Sequence, residues 1–308
     1  ISDDAKLPRV EYRAGLTAAE FAERHQASPC VLPADPEPRH RGVPVVIECG
    51  DADAHTLLAL FHGSMATWRQ SSALLAAAKA AGMRVVAFDT LGCGESSRPR
   101  GGAAYASQEL YEDAVRVVEQ RRGAARQVVV VGHRFGCQVA LATAVQLKPA
   151  SAVLVCPDDL PGAAVSSARA LFRWLPLFAL RMLRSSLSNG FADAAIFNEG
   201  DKDGSLRKLC LAHNRRDDLR VCQGFYGHYK PITEAHAADA VAACGRILVV
   251  SGEEDKVIPP SSARALVSRL REMGADVLHE SMEGAAHLPM IEQPEALQRA
   301  ILDFVRKA

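Results

Sequence analysis

The sequence has no excess of charge of either sign, since 36 Lys and Arg residues are balanced by 36 Asp and Glu residues. Proteins that bind nucleic acid or an anionic membrane surface through their overall charge carry a clear positive excess. The composition therefore argues for neither partner, and we predict that the protein binds no nucleic acid.

Long apolar runs are also missing. No run reaches the roughly 18 residues that a membrane-spanning helix needs, and the chain does not start with the charged and then apolar pattern of a secretory signal. We expect no transmembrane segment. The first residue is Ile1 rather than Met, which fits a trimmed chain as well as a protein that lost a transit peptide in an organelle.

Patterns typical of metal and cofactor sites are absent too. The eight cysteines are scattered, with no Cys-x-x-Cys pair, and the sequence contains neither a phosphate-binding loop nor a dinucleotide fingerprint. We therefore predict no cofactor and no metal. Scattered cysteines in apolar runs indicate free thiols and favour a reducing intracellular compartment.

The chain does contain an alternation of short apolar strands and longer Ala- and Leu-rich helices. The predicted strands are 43–49, 56–62, 84–89, 127–133, 151–156, 246–252 and 275–281, and the predicted helices are 71–82, 107–123, 135–149, 261–274 and 294–308. Strands that are apolar throughout are typical of a parallel sheet covered on both faces. The pattern predicts an α/β protein with a doubly wound, mostly parallel sheet.

Two regions depart from this alternation. Residues 1–42 hold one helix-like piece and then a proline-rich stretch, which predicts an N-terminal arm or linker. Residues 157–243 contain no good strand, which predicts a helical cap inserted between the two parts of the core, 43–156 and 244–308. The apolar stripe of the cap helix around 168–187 is expected to pack on the sheet as a lid; its arginines leave a membrane or a protein partner as the alternative.

The corner between a predicted strand and a predicted helix at 128–144 carries the strongest chemical signal. Gly132 and Gly136 let the strand and the helix approach where a Cβ would clash. Such a corner holds its central residue in a strained conformation with the side chain above the sheet, and acyl-transfer enzymes place a serine nucleophile there. Here the central residue is Arg134.

This corner resembles the nucleophile elbow of the α/β-hydrolase fold superfamily, of the type with a cap. "FHGSMATW" (61–68) is similar to the family's His-Gly loop, and "DTLGCGESSRP" (89–99) is similar to its Asp-x-x-Gly-x-Gly-x-Ser turn. The resemblance implies that the backbone at Ser64 and Phe135 supplies the oxyanion hole.

The last two motifs of the resemblance imply the partners of the nucleophile. "SGEEDKVIPP" (251–260) looks like the family's acid loop and "GAAHLPMIEQP" (284–294) looks like its histidine loop. The implied catalytic residues are therefore Asp255 and His287. Without a serine they are either a working acid–base dyad or a vestige that braces the loops.

Arg134 cannot replace the serine nucleophile that the elbow, the oxyanion hole and the dyad would serve. A guanidinium stays protonated and cannot form an acyl-enzyme. Substitutes for the serine are poor: Cys137 is expected to face the buried side of its helix, Ser64 lies on the oxyanion loop, and Cys93 lies on the neighbouring turn. Losing the nucleophile of a triad costs on the order of 10⁶-fold in rate. Serine-dependent hydrolysis is therefore disfavoured.

A buried cation at position 134 needs a counter-ion. Asp255 is expected to provide it, which would leave His287 neutral and unpaired and would close the site. Alternatively, Arg134 faces a cavity and binds a carboxylate or phosphate. Of the nearby histidines, His62 is expected to be a structural hydrogen-bonder and His133 to pack under the edge of the sheet.

Three functions are compatible with these residues. The first, which we favour, is a non-catalytic structural subunit or binding protein, with a protein partner on the arm or cap or a small-molecule ligand under the cap. The second is an enzyme that uses Asp255 and His287 on an anionic substrate held by Arg134. The third is an esterase- or lipase-like serine hydrolase whose nucleophile position is substituted.

Overall fold

An eight-stranded sheet forms the centre of the protein, whose computed structural model describes residues 17–25, 27–31, 45–158 and 172–307. The strands are β1 (Ser28–Val31), β2 (Val45–Cys49), β3 (Thr56–Phe61), β4 (Arg84–Phe88), β5 (Gln127–His133), β6 (Ser151–Val155), β7 (Arg246–Gly252) and β8 (Val277–Met282). They are ordered β1-β2-β4-β3-β5-β6-β7-β8, and all pairs except β1 with β2 and β2 with β4 are parallel. This confirms the predicted α/β fold with a mostly parallel sheet.

Helices cover both faces of this sheet. They include α1 (Ala18–His25), α2 (Ser72–Ala80), α3 (Ser107–Arg122), α4 (Phe135–Leu147), α5 (Leu177–Ala195), α6 (Ser205–Asn214), α7 (Leu219–His228), α8 (Glu234–Ala243), α9 (Pro260–Glu272), α10 (Pro289–Glu292) and α11 (Pro294–Arg306). The run of valines in β5 shows why its sequence is apolar throughout. Val128 and Val130 belong to one hydrophobic core, whereas Val129 and Val131 belong to the core on the opposite face.

The described part of the predicted N-terminal arm packs on this chain. Strand β1 was not predicted, yet it pairs with β2 in antiparallel register from Ser28 opposite Glu48 to Val31 opposite Val45. Phe21 of α1 is fully buried, with its ring centroid 4.9 Å from that of Trp68. The short strand contains a proline, which hid it in the sequence and which an edge strand tolerates because one of its sides needs no N–H donor.

The chain between β6 and β7 is helical where it is described, from 172 to 243. Helices α5, α6 and α7 lie near the carboxyl ends of the strands, whereas α8 packs beside α4, with His236 Nε2 3.0 Å from the carbonyl oxygen of Ala142. The first part of the predicted cap helix, up to residue 171, lies outside the described residues. No helix in the described ranges is both long enough and apolar enough to cross a membrane.

Candidate active site

The corner between β5 and α4 has the backbone geometry of a nucleophile elbow. Arg134 adopts φ 54° and ψ −112°, a conformation that residues with a side chain rarely adopt. A Cβ on Gly132 would lie 2.2 Å from the carbonyl oxygen of Gly136, and one on Gly136 would lie 2.0 Å from that of Phe61. Three backbone segments therefore meet beneath Arg134, and the two glycines make this approach possible.

The guanidinium of Arg134 forms an ion pair with the carboxylate of Asp158. Asp158 follows β6, which pairs in parallel with β5, so two neighbouring strands bring both side chains to the same edge of the sheet. The two side chains are 17% and 6% exposed, respectively. The expectation that Asp255 neutralises Arg134 is wrong, because the acid that follows the adjacent strand takes that place.

Asp255 is instead bound to His287. Nδ1 of His287 lies 2.8 Å from Oδ2 of Asp255, and Oδ1 of Asp255 accepts the backbone N–H groups of Val257 and Ile258, both at 2.8 Å. Both members of the pair are buried. A carboxylate can only accept, so Nδ1 of His287 carries the proton and Nε2 keeps a lone pair. The dyad is therefore arranged so that His287 can accept a proton.

Glu292 braces the histidine loop, and sequence reasoning missed it. Its Oε2 accepts the N–H groups of Ala286 and Leu288, on either side of His287, at 3.0 and 3.1 Å. Its Oε1 accepts the N–H of Phe197 at 2.7 Å, which ties the loop to the end of α5. Burial raises the pKa of Glu292. The only sequence signal was an acid shortly after the candidate histidine, in "HLPMIE".

Two further histidines meet near the elbow. Nε2 of His62 accepts the N–H of Thr90 at 2.9 Å and its Nδ1 lies 2.7 Å from the carbonyl oxygen of Gly63, which makes it a structural residue as expected. His133 does not pack under the sheet edge. Its Nε2 lies 2.9 Å from the carbonyl oxygen of His287, and the two rings are 5.1 Å apart. Burial lowers the pKa of His62, and it lowers that of His133 well below its usual value, so these two imidazoles act as neutral supports.

The positions implied for the oxyanion hole lie on either side of Arg134. Phe135 begins α4, and Ser64 lies on the loop after β3. Both line the same cavity as Arg134. The hydroxyl of Tyr226 approaches Oγ of Ser64 at 3.5 Å, so this loop also contacts α7. The placement agrees with the resemblance, and the role of the two N–H groups stays a prediction.

Neither neighbouring thiol replaces the serine. Sγ of Cys137 lies 3.2 Å from the carbonyl oxygen of Gly132 and 3.4 Å from that of Val155, on the buried side of α4. Burial raises the pKa of Cys137, and it raises the pKa of Cys93 to about 12. Both thiols are protonated at neutral pH, and a protonated thiol is a poor nucleophile.

Within the described ranges, His133, Cys156 and His287 place metal-type ligand atoms within 4.8 Å of one another. Each imidazole contacts a protein oxygen through one nitrogen only, so the thiol decides whether a metal fits. Burial raises the pKa of Cys156 well above its usual value, and a metal needs the thiolate. These residues therefore fit a hydrogen-bonded core better than a metal centre.

A cavity of about 670 Å³ opens above the elbow. Arg134, Asp158 and His287 line it at the elbow. Its walls are mostly apolar, and they include Leu187, Phe191, Leu219, Phe225 and Ile291. Cavities of this size, with apolar walls and a few polar groups, are typical of sites for small organic molecules.

Comparison with known sequences places the chain among proteins with this architecture. A model of the alpha/beta hydrolase family matches residues 58–300. Protein ABHD8 of Mus musculus is 27% identical over 266 residues, which cover 84% of this chain and 57% of that protein. The chain thus spans less than two thirds of this relative. Epoxide hydrolase B of Mycobacterium tuberculosis is 40% identical over 84 residues, which are 27% of this chain and 23% of that enzyme.

Solved structures show the same fold at lower sequence identity. An esterase from Exiguobacterium antarcticum superposes with a TM-score of 0.69 and 16% identity, over 86% of this chain and 96% of that one. A thermophilic esterase from Thermogutta terrifontis gives a TM-score of 0.69 and 19% identity, over 91% and 98% of the two chains. These similarities concern the fold alone.

Proposed function

Because this chain belongs to the alpha/beta hydrolase family but holds an ion-paired arginine at its elbow, we propose that it is a binding protein that keeps a small ligand in its cavity without hydrolysing it. The ion pair of Arg134 with Asp158 is the observation that carries this proposal. A permanently protonated guanidinium cannot attack a carbonyl carbon, and its pairing with a buried carboxylate holds it at the place of attack.

The cavity supports a binding role because it stays open despite the arginine. It has about 670 Å³ of space, and most of its lining is apolar. Polar groups line it around Arg134, Asp158 and His287, and also at Arg184 and Asp217. The ligand that fits this lining has an apolar body and polar groups that accept or donate hydrogen bonds.

The N-terminal arm gives less support to a role as a structural subunit. Its described parts, α1 and β1, are used to cover the core and to extend the sheet of this same chain. The N–H of Ala18 also donates to Oε1 of Glu95 at 2.9 Å. These segments are therefore not available to wrap a neighbouring protein, and we favour a small-molecule ligand.

A pair of glycine substitutions tests the proposal. Gly190 of α5 lines the cavity and has open space around the position of a Cβ, so that Gly190→Phe can fill the cavity without a backbone clash. Gly227 of α7 has the same open space but does not line the cavity, and Gly227→Phe is the matched control. With cis-parinaric acid, a fluorescent fatty acid, as the probe, we expect Gly190→Phe to weaken binding by about tenfold or more and Gly227→Phe to leave it unchanged.

The absence of hydrolysis is tested separately. The unaltered protein is incubated with a fluorophosphonate and with p-nitrophenyl esters of short and medium acyl chains. We expect no covalent adduct in the intact mass and no burst of nitrophenol. An adduct, or ester turnover that co-purifies with the protein, would contradict the proposal, as would equal binding of the fatty acid by the two glycine variants.

The intact dyad favours a second candidate function, an enzyme that needs no covalent intermediate. His287 keeps its lone pair on Nε2 and its bond to Asp255 at 2.8 Å, so that it could remove a proton from a ligand held beside Arg134. In that case His287→Gln would abolish turnover of the substrate while leaving its binding largely intact. A turnover that survives this substitution would exclude the dyad mechanism.

A further inference from the structure

The outer side of α5 carries an apolar patch that the rest of the described chain does not cover. Trp174, Phe178 and Met182 are 76%, 67% and 81% exposed, and they are the most exposed large apolar side chains in the described ranges. Phe178 and Met182, four residues apart, lie on one side of α5, and Trp174 lies three residues before the helix, on the other side of the extended Pro176. The opposite side of α5 is buried, through Leu180, Ala192 and Ala195. The outer side of α5 thus presents two large apolar side chains that the described part of the chain leaves exposed.

A crevice rich in arginine lies beside this patch. It has about 510 Å³ of space, and Leu177, Leu219, Asp217, Asp218 and six arginines line it, namely Arg98, Arg181, Arg184, Arg215, Arg216 and Arg220. Helix α5 supplies both features, because Arg181 and Arg184 follow Phe178 by less than two turns. The charge balance of the whole chain therefore hides a strong local excess of positive charge.

Hydrogen bonds orient several of these arginines without neutralising them. Nη2 of Arg184 donates to the carbonyl oxygens of Asn214, Arg215 and Asp217, at 3.1, 2.6 and 2.7 Å. Nη2 of Arg98 donates in the same way to the carbonyl oxygen of Gly94 at 2.8 Å. Carbonyl groups carry no net charge, so the guanidinium groups remain cationic.

The two acids of the crevice offset little of this charge. Asp218 forms an ion pair with Arg220, at 3.0 Å between Oδ2 and Nη2. Burial raises the pKa of Asp217 to about 8, so this carboxyl group is mostly protonated at neutral pH. Six arginines and two aspartates line the crevice, so its lining favours anions, and guanidinium groups bind phosphate oxygens well.

We propose that Trp174, Phe178 and Met182, together with the arginine crevice, dock this protein on an anionic phospholipid bilayer. The apolar side chains enter the interface between head groups and acyl chains, and the arginines bind lipid phosphates. Tryptophan suits this depth because its ring is apolar and its N–H is polar; the guanidinium of Arg173 lies 5.2 Å from the ring centroid of Trp174.

A lipid explains the arrangement better than an acidic protein partner does. The crevice and the main cavity share Arg184, Asp217 and Leu219 as lining residues. A charged head group in the crevice would thus lie next to a cavity with apolar walls. A phospholipid has the same arrangement, because its charged head group is joined to apolar acyl chains. The choice of a lipid uses the apolar walls of the cavity, but docking by the outer face of α5 does not require that the cavity hold a ligand.

Sedimentation with phospholipid vesicles tests the docking. We expect binding to vesicles of phosphatidylcholine and phosphatidylserine to exceed binding to phosphatidylcholine alone by about tenfold or more, and to weaken with salt. Phe178→Ser with Met182→Ser should reduce binding to both kinds of vesicle. Arg181→Glu with Arg215→Glu should remove the preference for phosphatidylserine.

Matched controls place the same chemical changes elsewhere. Leu278→Ser with Val145→Ser removes two apolar side chains that are 44% and 39% exposed on β8 and α4, and Arg299→Glu with Arg126→Glu reverses two exposed charges. Both should bind vesicles like the parent, and circular dichroism should show that every variant is folded. The proposal is overturned if the vesicles do not differ, or if the controls lose as much binding as the α5 variants. A concentration-dependent dimer that Phe178→Ser with Met182→Ser abolishes, without any vesicle binding, would identify a protein interface instead.

Discussion

The guanidinium of Arg134 is paired with Asp158, and the imidazole of His287 is paired with Asp255, so the site contains two separate acid–base pairs. Two strands of the sheet end at the first pair, and the loops after two other strands supply the second. The arginine has therefore not taken the acid that orients the histidine. The consequence is that removal of the arginine does not by itself disturb the dyad.

Substitution of the elbow residue should have different effects on stability and on activity. Arg134→Ser leaves the carboxylate of Asp158 buried without its cation, and breaking a buried ion pair from one side costs about 3–5 kcal/mol. Arg134→Ser with Asp158→Asn should recover most of that free energy of unfolding, as measured with urea.

The double variant also tests whether the site can hydrolyse esters. It places a hydroxyl at the elbow while the Asp255–His287 dyad stays in place. We expect p-nitrophenyl ester hydrolysis and labelling by a fluorophosphonate, both lost on His287→Ala. A folded double variant that shows neither activity would mean that the arginine is not what keeps this site from reacting.

The stability prediction has its own contrary outcome. If Arg134→Ser alone is as stable as the parent, the ion pair contributes nothing to the free energy of unfolding.

The close approach beneath the elbow predicts a strict requirement for glycine. A Cβ at position 136 would lie 2.0 Å from the carbonyl oxygen of Phe61, which is backbone and cannot move aside easily. Gly136→Ala should therefore lower the free energy of unfolding by about 3 kcal/mol or more, or prevent folding. Gly101→Ala, at a position with open space around the added Cβ, is the control and should change it by less than about 0.5 kcal/mol. Similar values for the two variants would show that the elbow is not as tight as described.

Buried histidines predict a loss of stability in mild acid. Burial lowers the pKa of His62, His133 and His213 below the usual 6.5, so they stay neutral in the folded protein. The unfolded chain takes up these protons once the pH falls below about 6.5, and the free energy of unfolding should decrease over that range and be insensitive to these groups above it.

His213→Gln is the variant that tests this origin. Nε2 of His213 lies 3.1 Å from the carbonyl oxygen of Met65, and glutamine can still donate to that oxygen. Stability measured with urea from about pH 8 to pH 5.5 should fall less steeply in the variant. Parallel curves would show that this histidine does not contribute to the acid sensitivity.

Asp217 predicts the opposite dependence on pH. Because burial raises its pKa from 3.8 to about 8, the folded state favours the protonated form. The parent therefore loses stability as the pH rises from about 4 to about 8, while a neutral asparagine has no such loss. Asp217→Asn should match the parent near pH 4 and become more stable than it as the pH approaches about 9, with the gain levelling off above the raised pKa. A difference that is the same at every pH would contradict the raised pKa.

The strands of the sheet could be predicted from the sequence because the fold demands an unusual pattern there. A strand buried on both faces needs apolar residues at every position, as in β5, and few other elements show such a run. Strand β1 has four residues, and its stability comes from pairing with β2 rather than from its own pattern. Such an edge strand cannot be predicted from its own residues and is recognised only from its pairing in the structure.

The site could be predicted only in part, because its contacts between distant segments have no local sequence pattern. The order of the motifs was enough to name Arg134, Asp255 and His287, since each follows a recognisable strand. The counter-ion of Arg134 could not be predicted from the sequence, because "PDDLPG" contains two adjacent acids and nothing in it indicates which one faces the elbow. For the helix around 168–187 the sequence favoured a lid and left a membrane or a protein partner as the alternative, because its apolar residues suit a buried lid as well as an exposed face.

The left-handed backbone at Arg134 has a consequence for how this protein can change over time. Crossing main-chain segments, rather than the residue at the corner, dictate the shape there, so serine and arginine are accommodated by the same turn. Some serine and arginine codons differ by a single base. One point mutation can therefore exchange a hydroxyl for a guanidinium at this corner while the turn of the main chain is kept.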